Sequence, residues 1–94
     1  MENSDSLISD SEPTRAYVLI DTRPGMAGII VQKLRDTGIA MVDAINGPHD
    51  AIALVQGDSP SDVAVTILNG IRKMEGVTGV TVYLVTAQEI AAGQ

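Results

Sequence analysis

The sequence predicts an α+β domain with the element order strand–helix–strand–strand–helix–strand, and three observations predict it. Four apolar runs of strand length are separated by two stretches whose apolar residues recur every four positions. Both stretches carry helix punctuation, with a proline near the start and a glycine at the end. The two middle runs are joined by Asn46, Gly47, Pro48 and His49, which is turn chemistry with no room for a helix.

The first strand is placed at residues 16–20, five apolar residues bounded by polar Asp21 and Thr22. Pro24 suits the first turn of the following helix, where its missing N–H costs nothing. Met26, Ile30 and Leu34 recur at four-residue spacing with Ile29 beside them; Lys33, Arg35 and Asp36 fall opposite, and Gly38 stops the helix. Residues 39–45 and 51–55 are the second and third strands, an antiparallel hairpin whose loop is longer than two residues because Pro48 follows Asn46-Gly47.

Ser59-Pro60-Ser61-Asp62 is the clearest local signal: Ser59 caps a helix, Pro60 takes its first position and Asp62 completes a capping box. Val63, Ile67 and Ile71 then repeat every four residues, with Ala64, Leu68 and Met74 on the same broad face. Arg72 and Lys73 fall in the last turn, at the negative end of the helix dipole, and Gly76 ends the helix. Residues 80–85 are the last strand. This order folds as a ferredoxin-like four-stranded antiparallel sheet with both helices on one face. Residues 1–14, rich in serine and acid, read as a disordered tail, residues 15–86 as the domain, and residues 87–94 as a C-terminal extension.

Composition removes several classes of function. A chain of 94 residues holds one modest core. It has no cysteine, hence no disulfide frame and no thiolate metal site. No signal peptide is read at the N-terminus, and no run approaches the roughly 20 apolar residues of a membrane helix, so a cytoplasmic location is expected. The net charge is −6, with Glu2, Asp5, Asp10 and Glu12 unopposed in the first fourteen residues. Such a balance does not neutralise phosphates, and direct nucleic-acid binding is not expected.

One feature of the strands is anomalous. A sheet with helices on one face leaves the other to water, and its strands should alternate apolar with polar. Here both parities are apolar at residues 16–20 and 51–55, and residues 82–85 form an unbroken apolar run. Something must cover the second face, and the simplest cover is another copy of the chain, giving a homodimer or larger oligomer. The bland alternative is that Ala16, Ala51 and Ala53 dilute that face enough for water.

Candidate chemistry is sparse. His49 and Asp50 are the only adjacent acid–base pair. They read either as ligand contacts in a loop or as an exposed turn residue beside a turn-stabilising carboxylate. No nucleophile or orienting third group accompanies them, so no catalytic residue is assigned. One histidine and scattered carboxylates make no metal site, and no cofactor is expected. Arg23-Pro24-Gly25 is plain helix initiation rather than an anion site, and the spacing of Gly25 and Gly28 is too short for a dinucleotide fingerprint.

Residues 16–86 resemble the ligand-binding (RAM) domain of the Lrp/AsnC family of transcriptional regulators. The resemblance is carried by residues 16–20 followed by Pro24-Gly25, by Gly47-Pro48-His49-Asp50 opening an apolar strand, by Asp58 ahead of the second helix, and by Met74-Glu75-Gly76-Val77 leading into Thr81-Val82-Tyr83-Leu84-Val85. It implies a dimeric α+β barrel closed by face-to-face sheets, larger rings of dimers, and an amino-acid or related effector bound near dimer–dimer contacts. By motif position it carries over Gly47 and Asp50 as site residues. Asn46, Pro48 and His49 share their loop, and Thr78 and Thr81 near the last strand's start complete the implied pocket. Two departures stand out. The family's helix-turn-helix has only an acidic tail in its place here, which implies a stand-alone domain acting on a full-length regulator. His49 stands where the family often has an aromatic residue, so effector identity is not carried over.

The functional expectation is therefore an amino-acid-sensing module that self-assembles, modulates a partner regulator and is not an enzyme. The alternatives are an ACT-type regulatory domain, in which sheets pair side by side; a purely structural oligomerisation module; and a dimeric α+β barrel enzyme. The last needs a roomy pocket with catalytic His, Asn or Trp, and this chain offers a single loop histidine and no Trp.

Overall fold

A computed structural model of the chain describes residues 13–85. The strands are β1 (Thr14–Thr22), β2 (Met41–Ala44), β3 (Ala51–Gly57) and β4 (Val77–Leu84). Between them lie α1 (Ala27–Asp36) and a second helix that begins as α2 (Pro60–Val65) and continues as a π-helix over Thr66–Ile71. The sheet order is β2-β3-β1-β4 with every pairing antiparallel. This is the predicted α+β, ferredoxin-like arrangement. β1 begins at Thr14, one residue inside the segment read as tail; residues 1–12 of that tail and the C-terminal extension lie outside the described residues.

The core is one cluster between sheet and helices. Ala16, Val18 and Ile20 of β1, Ala51, Ala53 and Val55 of β3, and Val42 of β2 are buried against Ile30, Val31 and Leu34 of α1 and against Val63, Ile67 and Ile71 of the second helix. The alanines let helix side chains approach the sheet closely, as a densely packed interior requires. They lie on the covered face, so they do not dilute the open one.

Several local expectations are corrected. Pro24 is not in the first helical turn. It occupies, with Gly25 at φ +80°, the centre of a turn closed by the Met26 N–H donating to the Arg23 carbonyl at 3.0 Å. Proline followed by a positive-φ glycine is the type II pattern, and the helix starts only at Ala27. Ile29 is 51% exposed and Val31 takes the buried place beside Ile30. β2 keeps four residues of the seven expected.

In the second helix Ser59 caps as read, its Oγ accepting from the Asp62 N–H at 3.2 Å, with Pro60 following. Beyond Val65 the ladder widens, and the Arg72 N–H donates to the Ile67 carbonyl, five residues back, at 2.8 Å. In an α-helix of 3.6 residues per turn, positions four apart drift by about 40° at each step. The wider π turn removes most of that drift, so Val63, Ile67 and Ile71 stay over the sheet, while Ala64 and Leu68 turn outward. The helix ends at Ile71. Arg72 is its cap residue, Lys73 lies beyond, and Gly76 belongs to the turn before β4.

Gly76 has φ +97°, and its carbonyl accepts the Arg23 N–H at 2.8 Å. A Cβ there would stand 2.6 Å from the Met26 Cε and 3.2 Å from the Ile30 Cδ1. Gly76→Ala is therefore expected to destabilise the fold by roughly 1–3 kcal/mol, from left-handed backbone strain plus displacement of Met26. The check is a shift of the urea midpoint with unchanged slope.

Candidate functional site

The side chains that lie away from the helices are fixed by register. Across the sheet, Met41, Leu54, Tyr17 and Tyr83 form one row and Asp43, Ile52, Leu19 and Thr81 the next. The first row is apolar throughout. Tyr17 and Tyr83 are 40% and 58% exposed, and Met41, Leu19, Ile52 and Leu54 are half-buried. The doubly apolar strands of the sequence thus resolve into a helix-covered face of small aliphatics and an open face of large ones.

At one end of this face β1, β3 and β4 converge on the hairpin loop. The Ile45 N–H donates to the Asp50 carbonyl, and the Asp50 N–H to the Ile20 carbonyl, each at 2.9 Å. The Asp50 carboxylate Oδ2 accepts the Thr22 N–H at 2.8 Å and lies 3.4 Å from the Thr22 hydroxyl. Asp50 therefore ties the start of β3 to the end of β1, across 28 positions of sequence, rather than merely bracing its own turn. Beside it, His49 Nδ1 lies 2.9 Å from Asp21 Oδ1, both side chains half-buried.

Asp21 is the site residue that sequence reasoning missed, since it served there only to end the first strand. A signal for it was present: it has the parity of Tyr17 and Leu19, which places it on the open face. Its neighbour across the ladder is Gly79, where a Cβ would meet Asp21 Oδ2 at 3.3 Å. The glycine makes room for the carboxylate.

The other site residues are distributed as follows. Asn46, Gly47 and Pro48 are exposed. Gly47 has no neighbour within 4 Å of a Cβ position and no positive φ, so the fold does not itself demand glycine there. Thr78 is the unpaired residue of a β-bulge, since Asp21 faces Gly79 while Thr22 faces Val77. Bulges re-aim side chains and recur beside functional sites. Thr81 is one row further in, paired with Leu19. The structure thus joins His49 and Asp50 to Asp21, Thr22 and the bulge, and leaves Thr81 deeper on the open face.

A separate cleft of about 610 Å³ opens between the end of α1, the end of β3 and the π-helix, lined by residues including Thr37, Gln56, Thr66 and Asn69. None of the site residues above lines it, and no charged side chain does. It has nothing to balance the two charges of a free amino acid, whereas the loop end of the sheet offers carboxylates and free loop amides. Among the described residues no group of three metal-ligating side chains occurs, and no helix is long and apolar enough to cross a membrane.

No family model and no curated protein matches the sequence. Solved structures do match. A protein of Thermus thermophilus is similar at TM-score 0.73 and 26% identity, over 78% of this chain and 92% of that one. AsnC of E. coli is similar at TM-score 0.72 and 13% identity, over 86% of this chain and 54% of AsnC. A transcriptional regulator of Neisseria meningitidis, solved as a complex with L-Met, is similar at TM-score 0.64 and 12% identity, over 92% of this chain and 55% of the regulator. This chain spans about half the length of the last two. Its fold is thus similar to that of AsnC and of the Neisseria regulator, the ferredoxin-like α+β arrangement.

Proposed function

We propose that the domain is a sensing module that binds a free amino acid at the loop end of its sheet. Binding tunes the domain's self-assembly and, through it, a regulator of the same family, with no direct contact to nucleic acid. The observation that carries this reading is the placement of Asp21, His49 and Asp50 together at the rim of an exposed apolar sheet face. A ligand held there sits where a second copy covering the face would end, so occupancy and assembly are coupled.

The chemistry suits a zwitterion. One oxygen of Asp50 is engaged by Thr22 and one of Asp21 by His49, leaving the second oxygen of each to accept from an α-ammonium group. The exposed loop amides at positions 46 and 47 and the Thr78 hydroxyl are donors for the carboxylate. The resemblance to a regulator crystallised with L-Met supports the ligand class.

The test is calorimetric titration with a panel of free amino acids. Asp50→Asn keeps a carbonyl oxygen for the Thr22 N–H and removes the charge. It is expected to leave the melting temperature nearly unchanged and to weaken binding by roughly ten- to a hundredfold, the worth of one charge-assisted hydrogen bond. If no amino acid binds the wild-type protein at millimolar concentration, sensing is abandoned in favour of a structural assembly module.

A further inference from the structure

We propose that the cleft between the end of α1, the end of β3 and the π-helix binds an uncharged small molecule built on amides, of the size and shape of an acylated aliphatic amino-acid amide. This site is separate from the loop end of the sheet. Gln56, which lines it, lies six residues beyond Asp50, about 20 Å away at the rise of an antiparallel strand.

The cleft opens because β2 is short. Its ladder with β3 stops at Met41 opposite Leu54, and Ile39 lines the cleft instead of extending the strand. β3 runs on to Gly57 with no partner on that side. Register fixes where its free groups point. The Val85 N–H donates to the Arg15 carbonyl at 2.9 Å, so Arg15 directs its main-chain groups to β4. Gln56 stands opposite Arg15 on the other ladder, and its N–H and C=O therefore turn away from β1, toward the place β2 has left. A donor and an acceptor, parallel and one residue apart, remain at the cleft. They match the C=O and N–H of an amino-acid unit whose two ends are both amides.

The π-helix supplies the facing wall. Thr66 and Asn69 both line the cleft, and among the described residues neither side chain makes a hydrogen bond. A helical threonine can return its hydroxyl to the carbonyl four residues back. The half-buried Thr66 does not, which leaves its donor and its acceptor to a ligand. Thr37 is already committed: its hydroxyl donates to the Leu34 carbonyl at 2.7 Å and offers the cleft an acceptor only. Widened helical turns of this kind recur at functional sites.

Charge and size define the occupant. No charged side chain lines the cleft, so an ammonium or carboxylate entering it loses water without gaining an ionic partner. The volume of about 610 Å³ is that of a small-molecule site. Ile39 and Val65 offer apolar surface to an aliphatic side chain. An amino acid acylated at nitrogen and amidated at carbon carries no charge, pairs one N–H and one C=O with Gln56, and presents its second amide to Thr66 and Asn69. The cleft lies on the helix side of the sheet, so a copy covering the open face leaves it accessible.

Proton–nitrogen correlation NMR of the full chain, titrated separately with N-acetyl-L-leucinamide and with L-leucine, tests this. The blocked compound is expected to shift the backbone signals of Gln56, Thr66 and Asn69 saturably at millimolar concentration, and zwitterionic leucine to leave them in place. Thr66→Val keeps the side-chain shape and removes the hydroxyl. Asn69→Ala changes an exposed position, should the first variant fail to fold. Each is expected to weaken binding of the blocked compound roughly three- to tenfold, the worth of one hydrogen bond. The proposal is overturned if the three signals do not shift saturably, if leucine shifts them equally, or if affinity is unchanged in every folded variant.

Discussion

Leu54→Lys is expected to yield a folded protein that sediments as a single 9.8 kDa chain. Leu54 stands in a central strand, between Met41 and Tyr17 in the apolar row of the open face, and is not among the residues of the helix-covered core. A lysine there can lay its stem along Tyr17 and keep its ammonium in water, so the monomer tolerates it. Beneath a second copy the same ammonium is buried without a partner, at a cost of several kcal/mol. In the proposed assembly, a second copy would cover the half-buried Leu19, Ile52, Leu54 and Met41 and the exposed rings of Tyr17 and Tyr83, at roughly 25 cal/mol per Å² of apolar area. One charge at the centre of that patch outweighs the remainder. A retained wild-type mass for this variant would remove the open face as an interface, whatever the ligand does.

The element order and the apolar second face were legible because both are properties of short windows. Residues 16–20 and 51–55 announce strands, and Ser59-Pro60 announces a helix start, through interactions within a few residues. The faces themselves were less so. The alternative that Ala16, Ala51 and Ala53 dilute the open face is removed only by the pairing of β1 with β3, which puts all three under the helices. Parity within one strand is visible in sequence, but which parity faces the helices is decided by packing across strands.

The candidate site shows the same boundary more sharply. Asp50 stands out from its local Gly-x-x-Asp setting, yet its partner is Thr22, at the far end of another strand. His49 reads as a turn residue because its partner, Asp21, is equally remote. Thr78 becomes an unpaired bulge residue only through the register shift opposite Asp21 and Thr22, which no window of β4 encodes by itself. Each of these contacts depends on antiparallel register between strands that the sequence separates by tens of residues.

The second helix offers the strongest test of local geometry. Ile71 is fully buried at the end of the π-helix, whereas Leu68 is 49% exposed. An unbroken α-helix would have kept Leu68 on the broad apolar face and carried Ile71 about 80° away from Val63. The widened turn reverses their weights. Ile71→Ala is accordingly expected to cost roughly 2–5 kcal/mol, transfer plus cavity, out of the roughly 5–15 kcal/mol that holds a domain of this kind together. Leu68→Ala should cost about 1 kcal/mol or less, since half of its side chain already meets water. Both are to be measured by urea unfolding in the Leu54→Lys monomer, so that assembly does not add to either value. Equal losses at the two positions would mean that the helix keeps the α pitch through Gly70, and that the four-residue spacing of Val63, Ile67 and Ile71 does not set its buried face.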